Sequence, residues 1–296
     1  MSKTADCKIS QIGYGHFGSF MAPHLSSRLV YDHNPRKKTK GLPPGARWAS
    51  LDEVAECDVV VLAIPALPVR GFIKILKRIA PKLRPGTLVV DVCSVKQIPI
   101  ELMKKYLPDH VEIVGSHPLF GPKSAAKGLM RKKNKFKVVL CPVRVSDERF
   151  LKIKLVLRKL GLLVIEIDPK EHDQEMAMVL AVTHFVGRAL GQAGIRRSRL
   201  STKSYRGLVG SKEIAVSDSL ALFWNLMMGY PEAIDWVDRV VAAVGDWGNR
   251  VKKRLGRKSG HFPGLAGHID SISLEETTAM PLAENKPPVD TGKRAQ

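Results

Sequence analysis

One histidine, His117, has a setting that suits acid–base chemistry. It lies in residues 115–122, GSHPLFGP, where two glycines and two prolines shape the backbone around it. A neutral imidazole with a pKa near ~6.5 is a good proton acceptor at cellular pH. Ser94, in residues 91–96 (DVCSVK), could hydrogen-bond such an imidazole or a substrate. The alternatives are a structural histidine in a tight turn and a serine that caps a helix.

A glycine motif lies about a hundred residues before His117. Gly13, Gly15 and Gly18 form the pattern GxGxxG after an apolar, strand-like segment and before a helical one. In such a loop the first glycine permits a tight turn, the second admits a pyrophosphate, and the third lets helix and strand pack closely. The motif therefore predicts dinucleotide binding. The predicted cofactor-binding residues are Gly13, Tyr14, Gly15, His16, Phe17, Gly18, Asp32, Ile64 and Pro65.

Asp32 ends the second predicted strand and bears on the choice of cofactor. An acidic side chain there can accept hydrogen bonds from ribose hydroxyls, which favours NAD over NADP. Its distance from Gly18 is shorter than the usual ~20 residues, so the intervening segment must be trimmed. His33, Arg36 and Lys37 follow and could instead bind a 2′-phosphate. Asp32 could also simply form a turn. We predict NAD, with NADP as the alternative.

Strands and helices alternate through the first half of the chain, which predicts an α/β fold with a Rossmann-type, mostly parallel sheet. The predicted strands cover 7–13, 28–32, 59–65, 87–92, 111–115, 136–141 and 162–167. The predicted helices cover 17–27, 67–79, 147–160, 171–195, 212–229 and 231–255. We expect a dinucleotide-binding domain over 1–168, an all-helical substrate and dimerisation domain over 169–256, and a flexible tail over 257–296.

Composition limits the classes of protein that fit. The chain has 296 residues, 44% of them hydrophobic and 26% charged, which is ordinary for a globular protein. No apolar run reaches the ~18 residues of a membrane span, and the N-terminus has no signal-peptide pattern. The four cysteines are scattered, which argues against a disulfide framework or a metal site and fits a cytoplasmic protein.

The net charge of +20 is unusual. Basic clusters fall at 36–40, 131–135, 196–199 and 250–258. They could be solvated surface, could steer an anionic substrate and cofactor, or could bind nucleic acid. No nucleic-acid-binding motif supports the last reading, so we expect an anionic small-molecule substrate and no nucleic-acid or membrane partner.

The helical half contains candidates for binding that substrate. Thr183 and His184 lie on the first long helix, with Arg188 one turn further on, and Arg206 follows. Either guanidinium could bind a carboxylate through two hydrogen bonds. The alternatives are a buried core histidine and surface or capping arginines. The predicted substrate-binding residues are Ser94, Gly121, Thr183, His184, Arg188 and Arg206.

Over residues 8–235 the chain resembles the prephenate/arogenate dehydrogenase family of tyrosine biosynthesis. The resemblance rests on the glycine motif, on 91–96 and 115–122, and on Glu171-His172-Asp173 followed by Thr183-His184-Phe185. It implies oxidative decarboxylation of a cyclohexadienol, with hydride passing to NAD(P). By position, His117 would accept a hydrogen bond from the ring hydroxyl, Ser94 would orient both groups, and His184 would contact substrate. The family resemblance also implies a homodimer formed by the helical domain.

The sequence departs from the prephenate-preferring members of that family. No arginine occurs between Arg206 and Arg239, and residues 205–230 look more like the arogenate-type enzymes of plants. Those enzymes generally lack an acid at the position of Asp32 and use NADP. Prephenate and arogenate therefore both stay open, as do NAD and NADP. The alternatives outside the family are another NAD(P)-dependent reductase of the β-hydroxyacid type and a non-catalytic nucleotide-sensing or nucleic-acid-binding protein.

Overall fold

The structure is a computed structural model, and it describes residues 7–25, 28–39, 41–125 and 136–256. Its centre is one sheet of eight strands, numbered along the chain and ordered β3-β2-β1-β4-β5-β6-β7-β8. The strands are β1 (Ile9–Ile12), β2 (Leu29–Tyr31), β3 (Arg47–Trp48), β4 (Val59–Leu62), β5 (Leu88–Asp91), β6 (Glu112–Pro118), β7 (Lys137–Arg144) and β8 (Leu163–Glu166).

Every neighbouring pair of strands is parallel except β6 and β7, which are antiparallel. The strands β4 and β5 are mostly apolar because helices cover both faces of such a sheet, whereas β1 contains the buried polar residues Ser10 and Gln11. The order reverses direction at β1 and β4, where ligands bind beyond the carboxyl ends of the strands. The predicted Rossmann-type, mostly parallel sheet is confirmed.

Helices connect the strands and then continue alone to the end of the described chain. They are α1 (His16–Met21), α2 (Leu51–Ala55), α3 (Val69–Ile79), α4 (Gln97–Tyr106), α5 (Pro122–Ala125), α6 (Asp147–Lys159), α7 (Pro169–Met176), α8 (Val182–Gln192), α9 (Lys203–Ser217), α10 (Leu220–Gly229) and α11 (Ala233–Arg254). A π-helical turn, Ala177–Ala181, joins α7 to α8, and 3-10 turns occur at Pro35–Thr39 and Ala80–Lys82.

Two predicted boundaries are wrong for identifiable reasons. The predicted helix 212–229 is in fact two helices, because Ser219 caps α10 by accepting a hydrogen bond from the backbone N–H of Leu222 at 3.1 Å. The predicted strand 111–115 continues to Pro118, because the antiparallel partner β7 pairs with its last residues. His117 therefore lies within β6 and not after it.

The sequence reasoning also missed several short elements. The strand β3 has two residues, and α2 has five, although Ser50 and Glu53 form a complete capping box at its start. Such elements are too short to show a clear hydrophobic period. The helix α4 was missed despite its ten residues.

The main apolar core joins the sheet to the helical part of the chain. Its buried members include Val60 and Val89 of the sheet together with Met176, Leu226 and Tyr230 of the later helices. No helix within the described ranges is long and apolar enough to cross a membrane.

The chain divides into two compact units, 1–242 and 243–296. The described part of the second unit, residues 243–256, is the C-terminal part of α11 and the two residues that follow it. The predicted division at residue 168 falls inside the first unit and stays a prediction. The predicted flexible tail, 257–296, lies outside the described residues.

Candidate active site

The two segments that were expected to carry the chemistry lie side by side at one edge of the sheet. β5 and β6 are neighbours, and Asp91 pairs with Gly115. The hydroxyl of Ser116 donates a hydrogen bond to the carbonyl oxygen of Asp91 at 2.7 Å. Residues 91–96 and His117 are therefore brought together by strand pairing.

His117 has a buried imidazole, with 5% of its surface exposed. Its Nδ1 lies 3.0 Å from Nε2 of His172 on α7, and the two rings meet edge to face. No described residue forms a hydrogen bond with Nε2 of His117. One ring nitrogen is therefore fixed by the protein, while the other is available to a substrate.

His172 in turn contacts Asp173. Nδ1 of His172 lies 2.8 Å from Oδ1 of Asp173, and both side chains are buried. The Asp173 carboxylate also accepts the backbone N–H groups of Lys96 at 2.8 Å and Gln97 at 2.9 Å, where α4 begins. Asp173 thus joins α7 to the start of α4 and supports His172.

Lys96 is fully buried below these groups. Its ammonium donates to the Asp91 carboxylate and, at 2.6 Å, to the carbonyl oxygen of Ser116. A buried ammonium needs such a partner because its desolvation is costly. The contacts of Lys96 connect residues 91–96 to the strand that carries His117.

The surroundings of His117 favour its neutral form. Burial lowers its pKa well below the ordinary value of 6.5, and the neighbouring His172 and the Lys96 ammonium lower it further. A neutral imidazole can accept a proton. The site is therefore able to act as a base at neutral pH.

Ser94 lies at the same sheet edge and is half-buried. Its carbonyl oxygen accepts a hydrogen bond from the hydroxyl of Tyr230 at 2.7 Å, which fixes this loop to the residue after α10. In the described part of the chain its hydroxyl makes no hydrogen bond to His117, whose Nδ1 is occupied by His172. The catalytic role of Ser94 stays a prediction.

The glycine motif has the geometry that its sequence predicts. Gly13 has a φ of +104°, and a Cβ there would lie 2.3 Å from the carbonyl oxygen of Ala63. A Cβ at Gly18 would lie 2.3 Å from the carbonyl oxygen of Gly13, whereas one at Gly15 would meet nothing within 4 Å. Two glycines are required by packing, and Gly15 faces open space, which fits the approach of a pyrophosphate.

The other predicted cofactor residues surround this loop. Tyr14 is buried against Trp48, and its hydroxyl donates to the carbonyl oxygen of Gly41 at 3.0 Å, so the ring belongs to the core. Ile64 lies against Gly13, since a Cβ placed on Gly13 would lie 2.9 Å from Cγ2 of Ile64. His16 and Pro65 are exposed near the loop.

Phe17 connects the glycine motif to the His117 segment. Its ring centroid lies 6.5 Å from that of Phe120, three residues after His117, and Phe20 also contacts Phe120. The first helix and the loop after β6 therefore pack together, which places both motifs at the same edge of the sheet.

Asp32 fixes the glycine turn to β2. Its carboxylate accepts the backbone N–H of Tyr14 at 2.7 Å and that of Asn34 at 2.8 Å. A carboxylate has about four lone-pair sites, so these two hydrogen bonds do not exhaust its capacity to accept others. Nearby, His33 and Arg36 are exposed. Binding of ribose by Asp32 stays a prediction.

Two of the predicted substrate residues of the helical part, His184 and Arg188, lie beside Asp218. Nε2 of the buried His184 lies 3.7 Å from Oδ2 of Asp218, and Nη2 of Arg188 donates to the carbonyl oxygen of Asp218 at 2.7 Å. Burial lowers the pKa of His184, and Arg188 lowers it further, whereas Asp218 opposes them. Two buried nitrogens, Nδ1 of His184 and Nε of Arg188, have no described hydrogen-bond partner. Both nitrogens are available to form hydrogen bonds with a polar group of a ligand.

The remaining candidates differ in their positions. Thr183 adjoins His184, and its hydroxyl donates to the carbonyl oxygen of Val179 at 2.5 Å. A Cβ at Gly121 would meet nothing within 4 Å. Arg206 is exposed and donates to the carbonyl oxygen of Ser201 at 3.0 Å. It lies roughly 18 Å along α9 from Asp218, so the structure does not bring it to the His184 cluster.

The sequence analysis named some of the residues that surround His117 but did not predict their contacts. Lys96, His172 and Asp173 belong to quoted motifs, but their contacts with the His117 strand depend on the packing of α7 against α4. Tyr230 had no signal in the sequence. The clue to these contacts in the sequence was the polar pair His172-Asp173 near the start of a predicted helix.

Comparison with known proteins gives consistent results. A profile described as "Prephenate dehydrogenase, nucleotide-binding domain" matches residues 26–166. Arogenate dehydrogenase 2 (chloroplastic) of Arabidopsis thaliana is 31% identical over 264 residues, which is 86% of this chain and 71% of that protein. A probable arogenate/prephenate dehydrogenase of Methanocaldococcus jannaschii is 32% identical over 144 residues, covering 48% of this chain and 30% of that protein.

Solved structures with the same fold include two of one enzyme. Prephenate dehydrogenase from Aquifex aeolicus aligns with a TM-score of 0.65 and 21% identity, over 83% of this chain and 92% of that one. Another structure of the A. aeolicus enzyme, in complex with hydroxyphenyl propionate and NAD+, aligns with a TM-score of 0.65 and 22% identity, over 86% of this chain and 93% of that one. From the extended match to the Arabidopsis protein in particular, we conclude that this chain belongs to the prephenate/arogenate dehydrogenase family.

Proposed function

We propose that this protein is an NAD(P)-dependent dehydrogenase that oxidatively decarboxylates prephenate, arogenate or both. The products would be 4-hydroxyphenylpyruvate from prephenate and tyrosine from arogenate. The observation that carries the proposal is the buried His117, whose Nδ1 contacts His172 and whose Nε2 has no described partner, beside the loop that packs on the glycine motif. The relatives, which are named as arogenate or arogenate/prephenate dehydrogenases, support the same substrates.

His117 would orient and polarise the ring hydroxyl of the substrate. Its Nε2 accepts a hydrogen bond from that hydroxyl, while Nδ1 stays on His172. When bound, the nicotinamide cofactor supplies an acceptor for the hydride on the carbon that carries the hydroxyl. The ring carboxylate then leaves as CO₂, and its bonding electron pair remains in the ring, which becomes a phenol. Ser94 would hold the substrate hydroxyl and the His117 imidazole in the correct relative orientation.

The cluster around Asp218 would bind the other end of the substrate. His184 and Arg188 each have a buried nitrogen without a described partner, and both can donate to an anionic group. Thr183 adjoins His184 in the sequence, and Gly121 also stays a predicted substrate residue. We keep Arg206 as a predicted substrate residue, although its position on α9 gives it less support than His184 or Arg188 has.

The glycine loop fits a dinucleotide because Gly15 opens to space while Gly13 and Gly18 are closely packed. The residues proposed to hold it are Gly13, Tyr14, Gly15, His16, Phe17, Gly18, Asp32, Ile64 and Pro65. We propose NAD as the preferred cofactor, because the Asp32 carboxylate would repel a 2′-phosphate. NADP is the alternative because basic side chains follow in Pro35–Thr39.

The test is an assay of each combination of prephenate or arogenate with NAD or NADP. We expect reduced cofactor and CO₂ to form together in equal amounts with at least one combination. A reductase of the β-hydroxyacid type would give reduced cofactor from other substrates without CO₂. Absence of turnover in all combinations, with salt-dependent retention of DNA or RNA, would contradict the proposal and favour a nucleic-acid-binding protein.

We also propose that the protein is a homodimer formed by its helical part. Leu220, Trp224 and Met228 recur every four residues on α10 and are 62%, 55% and 64% exposed. Residues at this spacing share one helix face, and exposed apolar surfaces of this kind mark contacts with another chain. A cytoplasmic location stays a prediction, testable by cell fractionation; the Arabidopsis relatives are named as chloroplastic.

A further inference from the structure

We infer that His172 and Asp173 are positioning residues that fix His117 in the tautomer with a proton on Nδ1 and a lone pair on Nε2. The inference rests on the proposed function, because it concerns the nitrogen that would meet the substrate hydroxyl. The inference gives a role to two buried polar side chains. Among the described hydrogen bonds, neither of them contacts the glycine loop.

The tautomer follows from the partners of each nitrogen. Asp173 offers only acceptor oxygens, so Nδ1 of His172, 2.8 Å away, must carry a proton. In a neutral His172 the other nitrogen, Nε2, is then an acceptor. The 3.0 Å contact with Nδ1 of His117 requires one donor, and that donor is His117. The lone pair of His117 consequently lies on Nε2.

Asp173 is itself held in place, which makes the chain of contacts rigid. Its two oxygens accept the backbone N–H groups of Lys96 and Gln97 at 2.8 and 2.9 Å. These hydrogen bonds attach the His172-Asp173 pair to the loop of Ser94. A shift of α7 would therefore move the catalytic imidazole and the Ser94 loop together.

One ammonium and two carboxylates lie near His117 among the described residues. His172 on α7 and Lys96 before α4 act on the imidazole directly, whereas Asp173 contacts His172 and Asp91 on β5 pairs with Lys96. When Nε2 shares the proton of the substrate hydroxyl, positive charge develops on the ring. The Asp173 carboxylate, acting through His172, opposes the repulsion that Lys96 would exert.

The experiment begins with the tautomer itself, measured without catalysis. The protein is labelled with ¹⁵N-histidine, and long-range ¹H–¹⁵N spectra are recorded at neutral pH. The signals of His117 are assigned by their loss in His117→Asn. We expect a protonated Nδ1 and an unprotonated Nε2. A His117 protonated on Nε2, as a cationic His172 would require, would overturn the inference.

Two substitutions then separate positioning from folding. His172→Gln places an amide oxygen where it can accept from Nδ1 of His117, whereas His172→Leu has similar bulk and no acceptor. In His172→Leu we expect the His117 signals to show a mixture of tautomers. In His172→Gln they should remain as in the wild type. Glu171→Gln, on the exposed side of α7, is the matched control and should change nothing.

The kinetic expectation is a fall in kcat with little change in KM for substrate or cofactor. A general base contributes about 10²–10⁴-fold to kcat. Loss of tautomer selection in His172→Leu should lower kcat by about 10- to 10²-fold. His172→Gln should recover most of the loss. Equal kcat in wild type and His172→Leu, at unchanged tautomer, would refute the positioning role.

The outcomes for the two proposals are distinguishable. Failure of the wild type to turn over prephenate or arogenate refutes the proposed function, whereas the tautomer of His117 is still read from the spectra. Should His172→Leu fail to fold, the spectrum of the wild type decides the inference, because a His117 protonated on Nε2 overturns it.

Discussion

At the residue scale, the chemistry of His117 depends on what surrounds each side of its ring. Burial and the nearby Lys96 ammonium favour the neutral imidazole, while His172 occupies Nδ1. The pattern in 115–122 identified this histidine because few residues there can titrate. It could not identify His172, which is 55 positions away and meets His117 only after α7 packs on the sheet.

Replacement of His117 by Asn tests its role directly. Asn cannot accept the proton, so kcat should fall by about 10²–10⁴-fold, the usual contribution of a general base. Cofactor binding, measured by fluorescence titration, should persist because the glycine loop is untouched. His110→Asn, at an exposed residue that belongs to neither proposed binding site, is the control. Near-normal turnover in His117→Asn would exclude His117 as the base.

The lowered pKa of His117 predicts the acid side of the pH–activity profile. The base must be neutral, so kcat/KM falls as pH drops through the pKa of His117 in the free enzyme. Because burial places this pKa below 6.5, activity should persist on the acid side of that value. A fall in kcat/KM that is centred above pH 6.5 would contradict the assignment.

Stability should depend on pH for the same reason. Below pH 6.5 the unfolded chain protonates His117, whereas the folded protein does not, so the free energy of unfolding decreases as pH falls. One such group contributes a slope of up to about 1.4 kcal/mol per pH unit. Denaturant titrations should show a shallower decrease in His117→Asn than in the wild type or in the control His110→Asn. Equal slopes in all three would show that His117 titrates alike folded and unfolded.

At the element scale, strand pairing decides which motifs meet. The two strands β5 and β6 were foreseeable because both are apolar runs, although the helix α4 that connects them was not predicted. The antiparallel β7 was not foreseeable, because an apolar strand carries no mark of its direction. That pairing extends β6 to Pro118 and brings His117 into the sheet.

The glycine turn offers a matched pair of substitutions. A Cβ at Gly18 would lie 2.3 Å from a backbone oxygen, so Gly18→Ala should destabilise the fold by about 1–3 kcal/mol. Gly15 has a φ of −73° and open space around it, so Gly15→Ala should retain the melting temperature. Its methyl group would instead obstruct a pyrophosphate and raise KM for the cofactor. Unchanged KM in a folded Gly15→Ala protein would count against the proposed cofactor site.

Helix boundaries in the second half show the limits of periodicity. Residues 212–229 look continuous because apolar side chains recur on both sides of the break. The break depends on one capping serine, Ser219, whose hydroxyl competes for a backbone N–H. Similarly, the π-helical turn Ala177–Ala181 changes the rotation between His172 and His184, and no residue type announces it.

At the scale of the whole molecule, the exposed face of α10 predicts self-association. Trp224→Glu places a charge in the centre of the Leu220-Trp224-Met228 face and should convert a dimer into monomers. Sedimentation velocity would measure the change. Val156→Glu, at a 58% exposed site on α6 in the sheet region, is the control and should leave the dimer intact. A wild-type protein that sediments as a monomer would refute the proposal.

The basic clusters are best explained as solvated surface. Arg36 and Lys38, and likewise Arg196 and Arg199, are exposed in the structure. Arg197 is paired with Glu213. Residues 131–135 lie outside the described ranges. Charges at these positions can attract anionic ligands over a distance, although such an effect on encounter weakens with salt.

The sequence alone determined the sheet-forming apolar runs, the glycine turn and His117 as a histidine whose setting suits acid–base chemistry. Each of these depends on neighbours in the chain. Only the tertiary structure decided which nitrogen of that histidine is available, because His172 and Asp173 reach it from a helix that lies far away in sequence. Local residue types fix local conformation. A protonation state depends on groups that folding brings within hydrogen-bond distance.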